Sequence, residues 1–175
     1  MIDEKFIDKW GPIDIEDFEY NNIKRLVEGD IKKIISISKA TLEALLNWKA
    51  SRTKGKLNWE NFEDYEKKFK EILELPKENK LGKLTELAGF GVSIASAVLH
   101  FIYPNEFPII DIRTVETLQA TDYIDKNKSI YSIRDTIKGY YYYRSVILDI
   151  AKKCKKSLRD VDKALFKYHK INLSK

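Results

Sequence analysis

Two features of the sequence can do chemistry by residue type and position. Asp111 stands directly before a helical pattern, at the end of Pro108-Ile109-Ile110-Asp111, where its carboxylate can accept the first backbone N–H groups of the helix. Such hydrogen bonds favour the ionised form, and an ionised carboxylate can stabilise an oxocarbenium-like cation or orient an attacking water. The position also has a structural account, because an Asp at a helix N-cap contributes ~1 kcal/mol of stability and requires no reaction. The second feature is Gly89-Phe90-Gly91, between two helical patterns. A chain turning sharply between helices needs positive φ and close backbone approach there. A glycine turn at a helix N-terminus also exposes N–H groups with no side chain in front, as a phosphate oxygen requires. A turn that only packs two helices together has the same sequence.

Helices must position both features. Val92 to Tyr103 carries Ile94, Ala95, Val98, Leu99 and Ile102 at helical spacing with no charged residue from Ala88 to Tyr103, so it is expected to be the most buried helix. Lys77 to Leu87, with Leu81, Leu84 and Leu87 on one stripe, feeds the hairpin, and Pro104 to Pro108 cannot continue a helix. Asp111 then opens a helix to about Leu118, and a polar connection leads to a long helix over about 130–154 that Gly139 interrupts. Ser157 caps a last helix to His169, with Leu158, Val161, Leu165 and Tyr168 on its stripe.

Upstream, Trp10-Gly11-Pro12 reads as a turn, and Asp14, Glu16 and Asp17 suit the start of a helix ending at Gly29. Asp30 is placed to cap the next helix, whose stripe is Ile31, Ile34, Ile35, Ile37, Leu42, Leu45, Leu46 and Trp48 to about Ser51. After a basic loop, Arg52 to Asn58, the residues Phe62, Tyr65, Phe69 and Ile72 mark a third helix stopped by Pro76. No segment reads as a strand, so the expected class is all-α.

At 175 residues and 43% hydrophobic, the chain can bury a core without disulfides or metals. One cysteine, Cys154, and two histidines exclude a disulfide framework, a thiolate zinc site and an iron–sulfur centre. No apolar run reaches the ~20 residues of a membrane span and the start is acidic and mixed, so a cytoplasmic protein is expected. The net charge of +5 and a pI near 9.0 suit a polyanionic partner. Two basic clusters, Lys49, Arg52, Lys54 and Lys56, and Lys152, Lys153, Lys155, Lys156 and Arg159, can each track phosphates or simply solvate the surface.

The stretch Leu84–Leu118, with Leu87-Ala88-Gly89-Phe90-Gly91, Ala95, Phe107-Pro108 and Ile110-Asp111, resembles the helix-hairpin-helix and Asp signature of the base-excision DNA glycosylase superfamily. Hairpin, apolar helix, Pro-containing crossing and Asp occur in the family's order, and the family's second-helix lysine position falls on Ser93, eighteen residues before Asp111. The resemblance implies a single helical domain over 1–175, with the hairpin and Asp region at 84–118 and two helical lobes around a DNA-facing cleft. It implies that Leu87, Gly89, Phe90, Gly91, Val92 and Ser93 clamp the phosphate backbone of duplex DNA, and Lys54 and Lys56 of the basic loop are candidate phosphate contacts by their charge. The Leu87 and Gly89 carbonyls would hold a monovalent cation, with no side-chain metal site and no other cofactor, and Asp111 would be the catalytic carboxylate.

Serine at 93 cannot attack the sugar as an amine, so the implied reaction is monofunctional hydrolytic release of an altered base, a DNA-repair glycosylase activity without strand cleavage. The target nucleotide would leave the stack for an aromatic pocket, for which Trp48, Tyr103, Phe107 and Tyr140 to Tyr143 are available. Packing in the core explains the same aromatics. His100, on one face with Ser93, Ser96 and Ala97, either lines a cleft or is a satisfied core histidine. Arg113, where the family more often has His or Asn, would pair with a carboxylate or reach a phosphate. Ala88 replaces a usual proline and Glu116 a common arginine, departures that bear on activity more than on fold. Two other readings remain: a non-catalytic helix-hairpin-helix DNA-binding module, and a protein–protein adaptor with no salt-dependent DNA affinity. The sequence leaves the lesion and the oligomeric state open.

Overall fold

The structure, a computed structural model, describes residues 1–11 and 15–174, with the side chains of residues 15 and 16 outside that description. The turn expected at Pro12 and the expected helix-start residue Asp14 therefore fall outside the described residues. The described chain is all-helical, without a strand. Its helices are α1 (Glu4–Trp10), α2 (Ile15–Ile34), α3 (Lys39–Ala50), a 3-10 segment (Ser51–Lys56), α4 (Phe62–Glu74), α5 (Lys77–Thr85), α6 (Val92–Ile102), α7 (Ile112–Ala120), α8 (Ile130–Arg134), α9 (Ile137–Cys154) and α10 (Leu158–Asn172). They group into two compact units, one of Met1–Ile13 with Tyr103–Lys175 and one of Asp14–Ile102.

In the unit Asp14–Ile102, α6 is the central element. Nine of its eleven residues, all but Ser93 and Ile102, are buried, as its uncharged run predicts. Leu42, Leu45 and Leu46 of α3 and Phe62, Tyr65, Phe69 and Ile72 of α4 form apolar stripes that are buried in this unit's core. Lys80 on α5 is 3% exposed, and its ammonium donates to the Ile72 and Leu73 carbonyls at 3.1 and 2.5 Å. It thereby satisfies the end of α4 where Pro76 prevents continuation. Burial holds the Lys80 amine below the usual lysine range.

Helix α2 corrects the expected break at Gly29 and Asp30. It runs unbroken to Ile34 because Tyr20, Ile23 and Val27 anchor one buried face, against which one interior glycine costs only ~1 kcal/mol. The chain leaves the helix at Ile35, at a left-handed φ of +50°. Asp30 accepts the Ser38 N–H at 2.8 Å across this corner, and Ser38, not Asp30, caps α3. Ile34 and Ile35 are consequently exposed, and the buried stripe begins at Ile37.

In the other unit α1 and α7 both pack on α10, whose buried stripe is Leu158, Val161 and Leu165. Ser157 caps α10 through a reciprocal capping box with Asp160. The expected long helix is two helices that break at Asp135–Thr136, ahead of Gly139. Thr136 accepts the Gly139 N–H at 2.9 Å, and a Cβ on Gly139 would lie 2.2 Å from the Ser132 carbonyl oxygen. Gly139 thus lets α9 approach the backbone of α8 closely.

Candidate functional site

The glycine turn lies within the unit Asp14–Ile102. The Leu87 carbonyl accepts the Phe90 N–H at 3.0 Å, and Gly89 has φ +83°, which closes Leu87–Phe90 into a turn suited to glycine at its third position. A Cβ at Gly89 would stand 2.7 Å from Leu57 Cδ1, so two constraints fix this glycine. Gly91 corrects the expectation of positive φ at both glycines. It has no left-handed φ, nothing lies within 4 Å of its Cβ position, and its carbonyl accepts the Ala95 N–H to begin α6. Open space is thus placed where the first N–H groups of α6 emerge.

The side chains around this turn are mostly core. Leu87, Phe90 and Val92 are buried, Phe90 against Tyr65 and Phe69 with ring centroids 6.3 and 5.9 Å away. Of the six expected contact residues, these three can offer only backbone to a ligand. The Tyr65 hydroxyl donates to the Ala88 carbonyl at 3.3 Å and accepts from Asn58 N–H at 3.3 Å, which ties the basic loop to the turn. Beside it Asn58, Asn61, Asp64, Tyr65, Lys68 and Ala88 line a small pocket.

The contact of Leu57 with Gly89 brings the basic loop against the turn. Lys56, directly before Leu57, is exposed there, and Arg52 is exposed at the other end of the loop, whereas Lys54 is engaged by Glu43 at 2.9 Å and Asn47 at 3.0 Å. The Lys54 ammonium holds the Glu43 carboxyl below its usual range. In the second cluster Lys153 pairs with Asp149, Lys156 with Asp8 and Arg159 with Asp162, so three of its five cations face carboxylates.

Asp111 lies in the other unit and is the N-cap of α7. Its Oδ1 accepts the Arg113 N–H at 3.0 Å, and Thr114 Oγ1 accepts the Asp111 N–H at 3.2 Å, a reciprocal capping box. The Asp111 side chain is 23% exposed, with Arg113 Nη1 3.9 Å from Oδ1. Beneath it the Tyr143 hydroxyl, with one proton to give, lies 2.9 Å from the Ile109 carbonyl oxygen and 3.0 Å from Thr114 Oγ1. Burial pushes the Tyr143 phenol far above its usual range, so it stays neutral. Asp135, hydrogen-bonded to Arg134, raises the guanidinium's pKa, and the Asp111 charge contributes to the same shift.

Of the two accounts of the candidate pocket aromatics, packing in the core is the one that holds for Phe107, Tyr140 and Tyr143. Phe107, Tyr140 and Tyr143 are fully buried, Tyr140 donating to the Pro108 carbonyl at 3.0 Å, and none presents a face for stacking. Trp48 packs its ring edge against Tyr20 and Phe101. His100 is the satisfied core histidine, its Nε2 2.8 Å from the Tyr20 hydroxyl, and Ser96 and Ala97 beside it are buried, so this face of α6 lines no cleft. Of the residues that support Asp111, Thr114 is signalled by the spacing Asp-x-x-Thr, and nothing local marks Tyr143.

Among the described residues no group of three or more His, Cys, Asp or Glu could hold a metal ion, and no helix is long and apolar enough to cross a membrane. No protein-family model, curated protein or solved structure matches the chain. The class defined by the fold of the described residues is all-α.

Proposed function

We propose that this chain is a helix-hairpin-helix DNA-repair protein of the glycosylase type, holding duplex DNA by its phosphate backbone and releasing an altered base by hydrolysis. The observation that carries the reading is the exposed, unobstructed Gly91 at the head of α6, next to a turn fixed by Gly89 and the exposed Lys56. Phosphate oxygens approach the backbone N–H groups there, and the contact is independent of base sequence. Main-chain oxygens suit a hard monovalent cation, and the Leu87 carbonyl, accepting one hydrogen bond from Phe90, keeps a second lone pair for it.

Asp111 supplies the chemistry in this reading. With its N-cap bond from Arg113 favouring the carboxylate, it offers a negative charge at a partly open surface. As the glycosidic C–N bond breaks, the base leaves with the electron pair and the sugar develops oxocarbenium character that the carboxylate stabilises. Water adds to the anomeric carbon and loses a proton, leaving an abasic sugar. Serine at 93 gives no amine for a Schiff base, so the strand stays intact.

The complete capping box at Asp111 favours a second reading, a non-catalytic DNA-binding module in which the aspartate only caps α7. The two separate on duplexes containing uracil, hypoxanthine, alkylated or oxidised bases. Abasic product from one of them, lost in Asp111→Asn, supports the enzyme. Binding without product from any supports the module, and the absence of salt-dependent binding defeats both.

A further inference from the structure

The C-terminal end of α10 holds a second chemical grouping, which the reading above does not use. His169 is 9% exposed, and its Nε2 lies 2.5 Å from Glu116 Oε2 on α7. Beyond α10 the Leu173 and Ser174 N–H groups both bond back to the His169 carbonyl, at 2.9 and 3.0 Å. That double bond-back folds the chain over the ring and sets Ser174 Oγ 3.4 Å from His169 Nδ1. The hydroxyl, imidazole and carboxylate share an open groove of about 540 Å³ with Arg113, walled by Ile112 and Leu173. Arg113 itself lies over the Phe166 ring at 5.0 Å.

Each nitrogen of the imidazole thus faces a different group. With Nε2–H donated to Glu116 Oε2 the tautomer is fixed, which leaves the Nδ1 lone pair turned toward the Ser174 hydroxyl. A nucleophile next to a base that a third group orients is the arrangement that activates serine, and such contacts are often long before substrate binds. From this geometry we infer that the groove at the end of α10 is an acyl-transfer site, with Ser174 as nucleophile, His169 as base and Glu116 as positioning residue, for small esters bearing an anionic group attracted by Arg113.

The step balances without a cofactor. Ser174 Oγ bonds to the carbonyl carbon as its proton passes to Nδ1. Collapse of the tetrahedral adduct breaks the ester C–O bond, and the departing alkoxide takes that proton. Water, giving a proton to the same nitrogen, then cleaves the acyl-serine and releases acid and free enzyme.

The test uses the full chain with a fluorophosphonate and with the 4-nitrophenyl half-ester of succinic acid. Expected results are a covalent adduct mapped to Ser174 and ester turnover that Ser174→Ala lowers at least about tenfold. Glu116→Gln is expected to slow adduct formation about as much, and Glu116→Asp to restore part of it, which a structural role at 116 would not do. Ser174 is exposed, so its alanine variant keeps the fold, checked by circular dichroism. No adduct at Ser174, or turnover equal in wild type and Ser174→Ala, overturns the proposal whatever the outcome with DNA.

Discussion

One oxygen of the Asp111 carboxylate accepts the Arg113 N–H, and that single bond separates structural from chemical roles by substitution. Asp111→Asn keeps an acceptor at the cap and removes the charge. Its melting temperature should stay within a degree or two of wild type, while base release, where present, is lost. Asp111→Ala removes the cap as well and should cost about 1 kcal/mol in denaturant unfolding. A large stability loss in the Asn variant would mean that the charge itself holds the fold. Gly91 allows a matching comparison, because nothing stands within 4 Å of its Cβ position. Gly91→Val should leave the fold intact and weaken duplex binding in a filter or fluorescence assay by blocking the N–H groups of α6. Unchanged affinity would remove the turn from the interface.

Among the elements, two interior glycines predict opposite outcomes. Gly29 lies within α2 with open space around it, so Gly29→Ala should stabilise by about 1 kcal/mol, read as a higher unfolding midpoint. Gly139 lies in the first turn of α9, where a methyl group would meet the backbone of α8 at 2.2 Å. Gly139→Ala should therefore destabilise by roughly 1–3 kcal/mol, because backbone must shift to make room. Equal effects of the two substitutions would contradict the close packing of α8 on α9. The sequence reads Gly29 as a helix end and Gly139 as an interruption, and only the neighbours of each Cβ position decide the outcome of substitution.

For the molecule as a whole, the net charge of +5 is unevenly committed. Lys153, Lys156 and Arg159 face carboxylates, whereas Lys56, next to the glycine turn, and Arg52, in the same loop, are exposed with no acidic partner among the described residues. If two to three phosphates are neutralised, duplex affinity should fall about 10- to 50-fold between about 50 and about 200 mM salt. Charge-reversal at Lys56 should flatten that dependence more than reversal at Lys153. A salt-independent affinity would argue against a phosphate interface altogether.

The sequence by itself determined the all-helical class, the stripes of α4, α6 and α10 and the cap at Ser157, because helical periodicity and capping are local and need no partner to be legible. It also marked Gly89 and Asp111, whose backbone roles follow from residue type. Tertiary structure alone decided that α2 runs through Gly29, that Phe107, Tyr140 and Tyr143 are core, that Lys54 is engaged and Lys56 exposed, and that Glu116 meets His169. Those outcomes depend on which faces pack together across tens of residues. An aromatic at helical spacing reads alike whether its ring is buried or open to a ligand, and a lysine reads alike whether a carboxylate or water surrounds it.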